Sequence, residues 1–321
     1  MSLPPPAAHP TGEKIGAKLQ DEMRGKNVLL TGTSINGIGF EIARVMARHV
    51  NLLIIAGHNP ERLKLVEEGI KKEVPSADIR PLLLNLSSLA AVREAAAQVN
   101  SYPEPLHVLI HNAAAPICPF KLTPDGLESQ TATDHIGPFL LTKLLTPKLL
   151  SSADATWTPR VIVTSSVSLV LGAGVDFDKF GREDPDYNPM GVYFQAKAAA
   201  VLQAIALSRR SKGRISSYSV HPGAVFTNLM QHEESLVPLK QVGLLGPDGQ
   251  PNYPEQFKTL AHGAATTIMA AFDRSLDGYP GAYLADCEIA NNVLPPVCSD
   301  VDNAERLWTL TEELIGEEFV F

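Results

Sequence analysis

The chain has 321 residues, 45% of them hydrophobic and 19% charged, enough to bury a sizeable core and too apolar for a disordered chain. Its formal net charge of −8, with no dense run of Lys and Arg, argues against a nucleic-acid partner. Cys118, Cys287 and Cys298 are scattered and odd in number, so they read as buried thiols of a reducing compartment rather than a disulfide framework. The opening MSLPPPAAHPTGEK lacks an apolar signal-like core, and no run of about 18 apolar residues occurs; a cytoplasmic protein with no membrane span is expected.

After an N-terminal arm (1–24), proline-rich over its first ten residues, short aliphatic stretches alternate with helical patterns. Strands are predicted at 27–31, 51–56, 79–86, 106–112, 160–166, 215–221 and 281–285. Helices are predicted at 37–49, 60–73, 87–99, 125–150, 191–211, 256–273 and 302–315, with Pro60 and Ser87 placed as helix starts. Repeated alternation of this kind gives an α/β fold, a seven-stranded parallel sheet doubly wound by helices on both faces. No linker interrupts 25–321, so one domain is expected there. Two loop-rich insertions, 169–190 and 228–255, are long enough to be functional. The second is rich in Pro and Gly and reads as a substrate lid with a short helix near Leu236–Leu239.

Between the first strand and first helix lies TGTSINGIG, with glycines at 32, 37 and 39. At such a junction in an open parallel sheet, glycines let backbone approach a pyrophosphate and the helix N-terminus supplies N–H donors. By itself the loop is equally compatible with a plain tight turn. Tyr193 and Lys197 stand four apart on a helical pattern and so share a face. An ammonium beside a phenol favours the phenolate and makes the tyrosine a usable proton donor or acceptor. Ser165 and Ser166 close the strand of 160–166, at the sheet edge where such folds bind ligands. His107 and His111 would share a strand face roughly 13 Å apart, too far for one ion, so no metal site is expected.

Together TGTSINGIG (31–39), LIHNAAA (109–115), DHIGPFLLT (134–142), VIVTSSVS (161–168), YFQAK (193–197), HPGAVFTNL (221–229), GAYLADC (281–287) and ERLWTLTEELIG (305–316) resemble the short-chain dehydrogenase/reductase family. Within it the chain looks most like the retinol-dehydrogenase and WW-domain-oxidoreductase branch. The resemblance, covering about residue 25 to the C-terminus, implies a Rossmann-type fold. It also implies NADP(H), with NAD(H) as the other option, and exchange between a carbonyl and an alcohol on a fairly apolar small molecule. Tyr193 would be the general acid or base, Lys197 its partner and a holder of the nicotinamide ribose, and Ser166 the group polarising the substrate oxygen. Gly32, Thr33, Ser34, Asn36, Gly37 and Ile38 would take the pyrophosphate side. His58, Asn85, Leu86, Asn112 and Ala113 would line the adenosine side, and Pro222, Gly223, Val225 and Thr227 would wrap the nicotinamide end. Leu229, Met230, Leu236 and Leu239 would give the lid an apolar lining.

Five departures from the family pattern stand out. The glycine loop is one residue longer than usual. Asn85 replaces an aspartate, Ala114 a glycine, and His58 an arginine. Asp134 takes the place of the family's active-site asparagine. Its carboxylate, if near Lys197, would hold the lysine protonated more firmly. Asp134 and the altered adenine-side motif also fit a second reading: a catalytically quiet protein, or a non-redox, cyclase-like one. The expected acidic position after the second strand is Gly57, so nothing there repels a 2′-phosphate. The helices at PFLLTKLLTPKLL and AAAVLQAIALSRR offer faces for a homodimer or homotetramer.

Overall fold

The computed structural model describes residues 9–321. In chain order it runs α1 (Gly12–Lys18), α2 (Gln20–Met23), β1 (Asn27–Thr31), α3 (Ile38–Met46), β2 (Leu52–Gly57), α4 (Pro60–Glu73), β3 (Ile79–Leu83), α5 (Leu89–Asn100) and β4 (Val108–His111). It continues with α6 (Ser129–Thr131), α7 (Gly137–Leu150), β5 (Arg160–Thr164), α8 (Pro189–Arg210), β6 (Ser216–His221), α9 (Asn228–Gln231) and α10 (Glu233–Gln241). The chain ends with α11 (Leu260–Phe272), β7 (Tyr283–Ala285), β8 (Glu288–Ile289), α12 (Pro296–Ser299) and α13 (Val301–Ile315).

The sheet has eight strands in the order β3-β2-β1-β4-β5-β6-β7-β8. The seven predicted strands are parallel, and the eighth is a two-residue antiparallel edge that is too short to show in the sequence. Side chains alternate across the sheet as the pleat requires. Leu29, Ile54, Leu109 and Val163 face the core beneath α5, α7, α8 and α13; Val28, Leu30, Ile55 and Ile110 face the core beneath α1, α3, α4 and α11. The chain leaves β1 toward β2 and returns to β4 on its other side, so the order reverses between β1 and β4. That reversal opens a crevice at the strands' C-terminal ends.

Several boundaries differ from the sequence reading. The arm is helical from Gly12, and Ile15, Leu19 and Met23 bury themselves in the core. Ser88 caps α5, while the Ser87 amide and hydroxyl both donate to Asn85 Oδ1 (3.1 and 2.7 Å). The helix predicted for 125–150 is split: Glu128 caps α6, and a π-helical turn, Ala132–Ile136, precedes α7. Pro138 has no N–H to offer the Asp134 carbonyl four residues earlier, which breaks the regular ladder. Helix α8 is apolar and long enough to cross a membrane, yet 72% of its apolar window is buried in this fold. Helix α13 and the tail after it pack on α7 and α8, the helices expected to offer faces to another subunit. Trp308 packs edge-on to Phe139 (4.7 Å), Arg210 Nε donates to Glu305 (2.8 Å) and Lys143 to Glu317 (2.5 Å).

Candidate active site

Gly32 follows β1 at φ 74°, and a Cβ there would lie 2.5 Å from Ala113 Cα. A Cβ on Gly39 would lie 2.3 Å from the Gly32 carbonyl and 2.6 Å from Asn112 Nδ2. These two glycines therefore let α3 and β4 close against the loop. Asn112 Nδ2 locks the junction by donating to the Thr31 and Gly32 carbonyls (3.2 and 3.1 Å). Within the loop Asn36 takes a φ of 61°, a region tolerated best by glycine and asparagine. Asn59, Ser88, Asn188, Thr259 and Asp300 cap α4, α5, α8, α11 and α13 with their side chains, whereas Gly37 gives α3 no such cap. The first-turn amides of α3 thus face the crevice with no side chain on them, next to a buried Thr33 hydroxyl without a partner among the described residues. A dinucleotide pyrophosphate fits this cradle.

Across the crevice, Asn188 and Pro189 start α8. Tyr193 lies one turn in and Lys197 two, with the Lys197 ammonium 5.2 Å from the centre of the Tyr193 ring. The π-helical turn aims Asp134 at the same point: Oδ2 is 2.9 Å from Lys197 Nζ and Oδ1 accepts from the Ala115 amide at 2.7 Å. Burial pushes the Lys197 pKa down, but the Asp134 carboxylate and then Tyr193 outweigh it and hold the ammonium above its ordinary value. Ser165 Oγ donates to the Lys197 carbonyl (2.7 Å), a bond that docks the end of β5 on α8. Ser166 is half-buried, and its Oγ receives the Ser168 amide and shares a hydrogen bond with the Ser168 hydroxyl (3.2 and 2.9 Å).

The remaining predicted residues sit along the same edge. His58 is exposed just past β2, and Asn59 beside it is committed to the α4 cap. Asn85 uses its oxygen locally on Ser87, and the Leu86 carbonyl abuts Gly137, where a Cβ would lie 2.2 Å away. Pro222 and Gly223 (φ 93°) make the bend after β6, Val225 bridges to Lys258, and Thr227 precedes α9. His107 and His111 are spent separately, on the Asn27 amide and on Thr142.

The first part of segment 228–255 packs beside Tyr193. Leu229, Met230, Leu236 and Leu239 form one apolar cluster with Ile117, Phe226 and Tyr193. Two fasteners escaped the sequence reading. Asn228 Nδ2 donates to Ser34 Oγ and the Ile35 carbonyl (3.3 and 2.7 Å), and buried Ser235 accepts from the Ile117 amide (3.0 Å). Their partners lie 194, 193 and 118 residues away, beyond any local pattern. A surface cavity of about 450 Å³ beside α13, lined by Phe177, Arg306 and Glu313, includes none of these groups.

A family model described as short chain dehydrogenase matches residues 26–176. The chain is 37% identical over 298 residues to the chloroplastic short-chain dehydrogenase TIC 32 B of Brassica napus, covering 90% of this chain and 88% of that one. It is 30% identical over 296 residues to human retinol dehydrogenase 12, covering 92% and 88%. Among solved structures, a Mycobacterium paratuberculosis protein superposes with a TM-score of 0.71 at 23% identity over 100% of both chains. A Shigella flexneri short-chain dehydrogenase complexed with NADP superposes at 0.62 with 22% identity, over 84% of this chain and 100% of that one. The chain therefore belongs to the short-chain dehydrogenase/reductase family of NAD(P)-dependent oxidoreductases, in its retinol-dehydrogenase-like branch.

Proposed function

We propose that this protein is an NADP(H)-dependent oxidoreductase that interconverts a carbonyl and an alcohol on a fairly apolar small molecule. The observation that carries the reading is the position of Tyr193, one turn from a buried ammonium and inside the lid's apolar cluster. Solved fold neighbours described with NADPH or NADP bound support the cofactor. The amides of the α3 first turn and Thr33 would hold its pyrophosphate, His58 its 2′-phosphate, Lys197 its nicotinamide ribose, and the 222–227 bend its nicotinamide end. When bound, the nicotinamide supplies or accepts the hydride.

The chain's own work is on the proton. In reduction Tyr193 donates its hydroxyl proton to the substrate oxygen; in oxidation it takes that proton back. The adjacent ammonium stabilises the phenolate left behind. Ser166, turned from Ser168, donates a hydrogen bond to the same oxygen. The leucines and Met230 of the lid exclude water and favour an apolar substrate.

A non-redox or quiet protein is the second reading, favoured by the direct Asp134–Lys197 pair. Tyr193→Phe separates the two. On an aldehyde and ketone panel it should lower turnover by at least about 100-fold, the scale of lost acid–base catalysis, with NADPH affinity kept within a few-fold. Turnover near the parent's rules out the role given to Tyr193. We also place the protein in the cytoplasm, on its three unpaired thiols, a placement that subcellular fractionation tests.

A further inference from the structure

The bend after β6 is gripped from below by a side chain outside the catalytic set. A Cβ on Gly223 would lie 2.6 Å from Lys258 Cδ and 3.2 Å from its Nζ, so the lysine stem lies directly against the bend. Its own amide donates to the Ala224 carbonyl (2.7 Å), and Lys258 pairs with Val225 as a parallel bridge. The Lys258 side chain is 9% exposed, and its ammonium forms an ion pair with Asp286. Asp286 is reached through an unusual turn. It and Cys287 connect β7 to β8 in the left-handed region, at φ 54° and 61°. Such hairpin turns normally use Asn-Gly or Gly-Gly, because side chains are strained there. A strained turn persists where its surroundings hold it, and here the Cys287 amide is tied to Thr266 Oγ1 (3.2 Å) and Asp286 to Lys258. The β6–β7 register pairs His221 with Ala285, which sets Asp286 just beyond the start of the bend.

We propose that Lys258 is a positioning residue for the 222–227 bend, clamped by Asp286 from this strained turn, and that the clamp sets the shape of the nicotinamide end of the groove. The inference rests on the assignment of that bend to the cofactor. Lys258→Met keeps the stem against Gly223 and removes only the charge. Asp286→Asn does the same from the other side, since asparagine tolerates the left-handed region. Each should raise the NADPH dissociation constant about 3- to 30-fold, lower kcat, and quicken hydrogen exchange of the 223–227 amides in cofactor-free protein, the scale of coupled neighbouring residues. The double variant should be no worse than either single one. Cys287→Gly, which relieves the turn and leaves the pair, should match the parent in kinetics. Losses that multiply in the double variant, or unchanged exchange and affinity, overturn the clamp. Faster exchange with unchanged NADPH affinity overturns the link to the groove: the bend is then clamped but does not hold cofactor, whatever Tyr193 does.

Discussion

The Lys197 ammonium and the Asp134 carboxylate meet at 2.9 Å with side-chain exposures of 4% and 2%. The same carboxylate holds the Ala115 amide, so two donors converge on its two oxygens. Asparagine has one oxygen and one amide group, and Asp134→Asn must leave one donor facing another donor. It should cost about 1–3 kcal/mol in urea unfolding, the price of one unsatisfied buried group, whereas Asp134→Ala should cost about 3–5 kcal/mol. Activity should survive in the asparagine variant with its pH–rate profile moved to lower pH, because removing a negative charge favours ionisation nearby. An unmoved profile assigns Asp134 a purely structural role.

The same pair sets a pH limit on stability. A lysine pKa raised in the folded state contributes stability in full below the unfolded value, near 10.4, and loses it as pH rises through the folded value. Melting of the parent should therefore be insensitive to this pair from pH 6 to 9 and weaken above about 10.4. In Asp134→Asn burial remains and the counter-charge is gone, so the folded-state lysine pKa falls and the Lys197-linked loss above about 10.4 should shrink or reverse. Parallel melting curves for the two proteins between pH 8 and 11 refute this.

Segment 228–255 is fastened near its start by Asn228 and Ser235, and the two fasteners should separate experimentally. Asn228→Ala removes two hydrogen bonds to the glycine loop and should speed NADPH dissociation about 3- to 10-fold in stopped flow. Ser235→Ala strands the buried Ile117 amide and should instead cost about 1–3 kcal/mol and open 228–255 to limited proteolysis. An unchanged off-rate in Asn228→Ala means that the lid does not enclose the cofactor.

Much of this was legible from residues alone because the causes are local. Alternating Val28, Leu29 and Leu30 announce a strand buried on both faces, and the spacing of Tyr193 and Lys197 fixes a shared helix face. The glycine loop was legible in position but only partly in cause. Gly32 and Gly39 are needed first for the packing of α3 and β4, which only the tertiary contact shows. Asp134 was visible as a departure, but the π-helical turn that aims it was not, because a helical pattern does not show where Pro138 interrupts the ladder or that Gly137 packs against the Leu86 carbonyl. What packs on the outer faces of α7 and α8 was not legible, because a helical pattern reports that a face is apolar, not what covers it. Here α13 does so, and Trp308→Ala should cost about 3–5 kcal/mol in urea unfolding.

The final prediction concerns nucleotide choice. β2 ends at Gly57, so no acidic side chain there accepts the ribose hydroxyls or repels a 2′-phosphate. His58 follows it, exposed, while the neighbouring Asn59 side chain accepts from the Arg62 amide (2.9 Å) and is unavailable for a ligand. Selection therefore falls on one imidazole. A single hydrogen bond to a charged group gives about 1–2 kcal/mol, so NADPH should bind roughly 5- to 30-fold more tightly than NADH. His58→Arg, with a fixed charge and a bidentate fork, should strengthen the preference. Gly57→Asp should reverse it, by repelling the phosphate and accepting from the ribose hydroxyls. Titration of both cofactors against the three proteins at pH 6, 7 and 8 measures all of this. Tighter binding of NADH than NADPH to the parent at pH 6 removes His58 from the phosphate site.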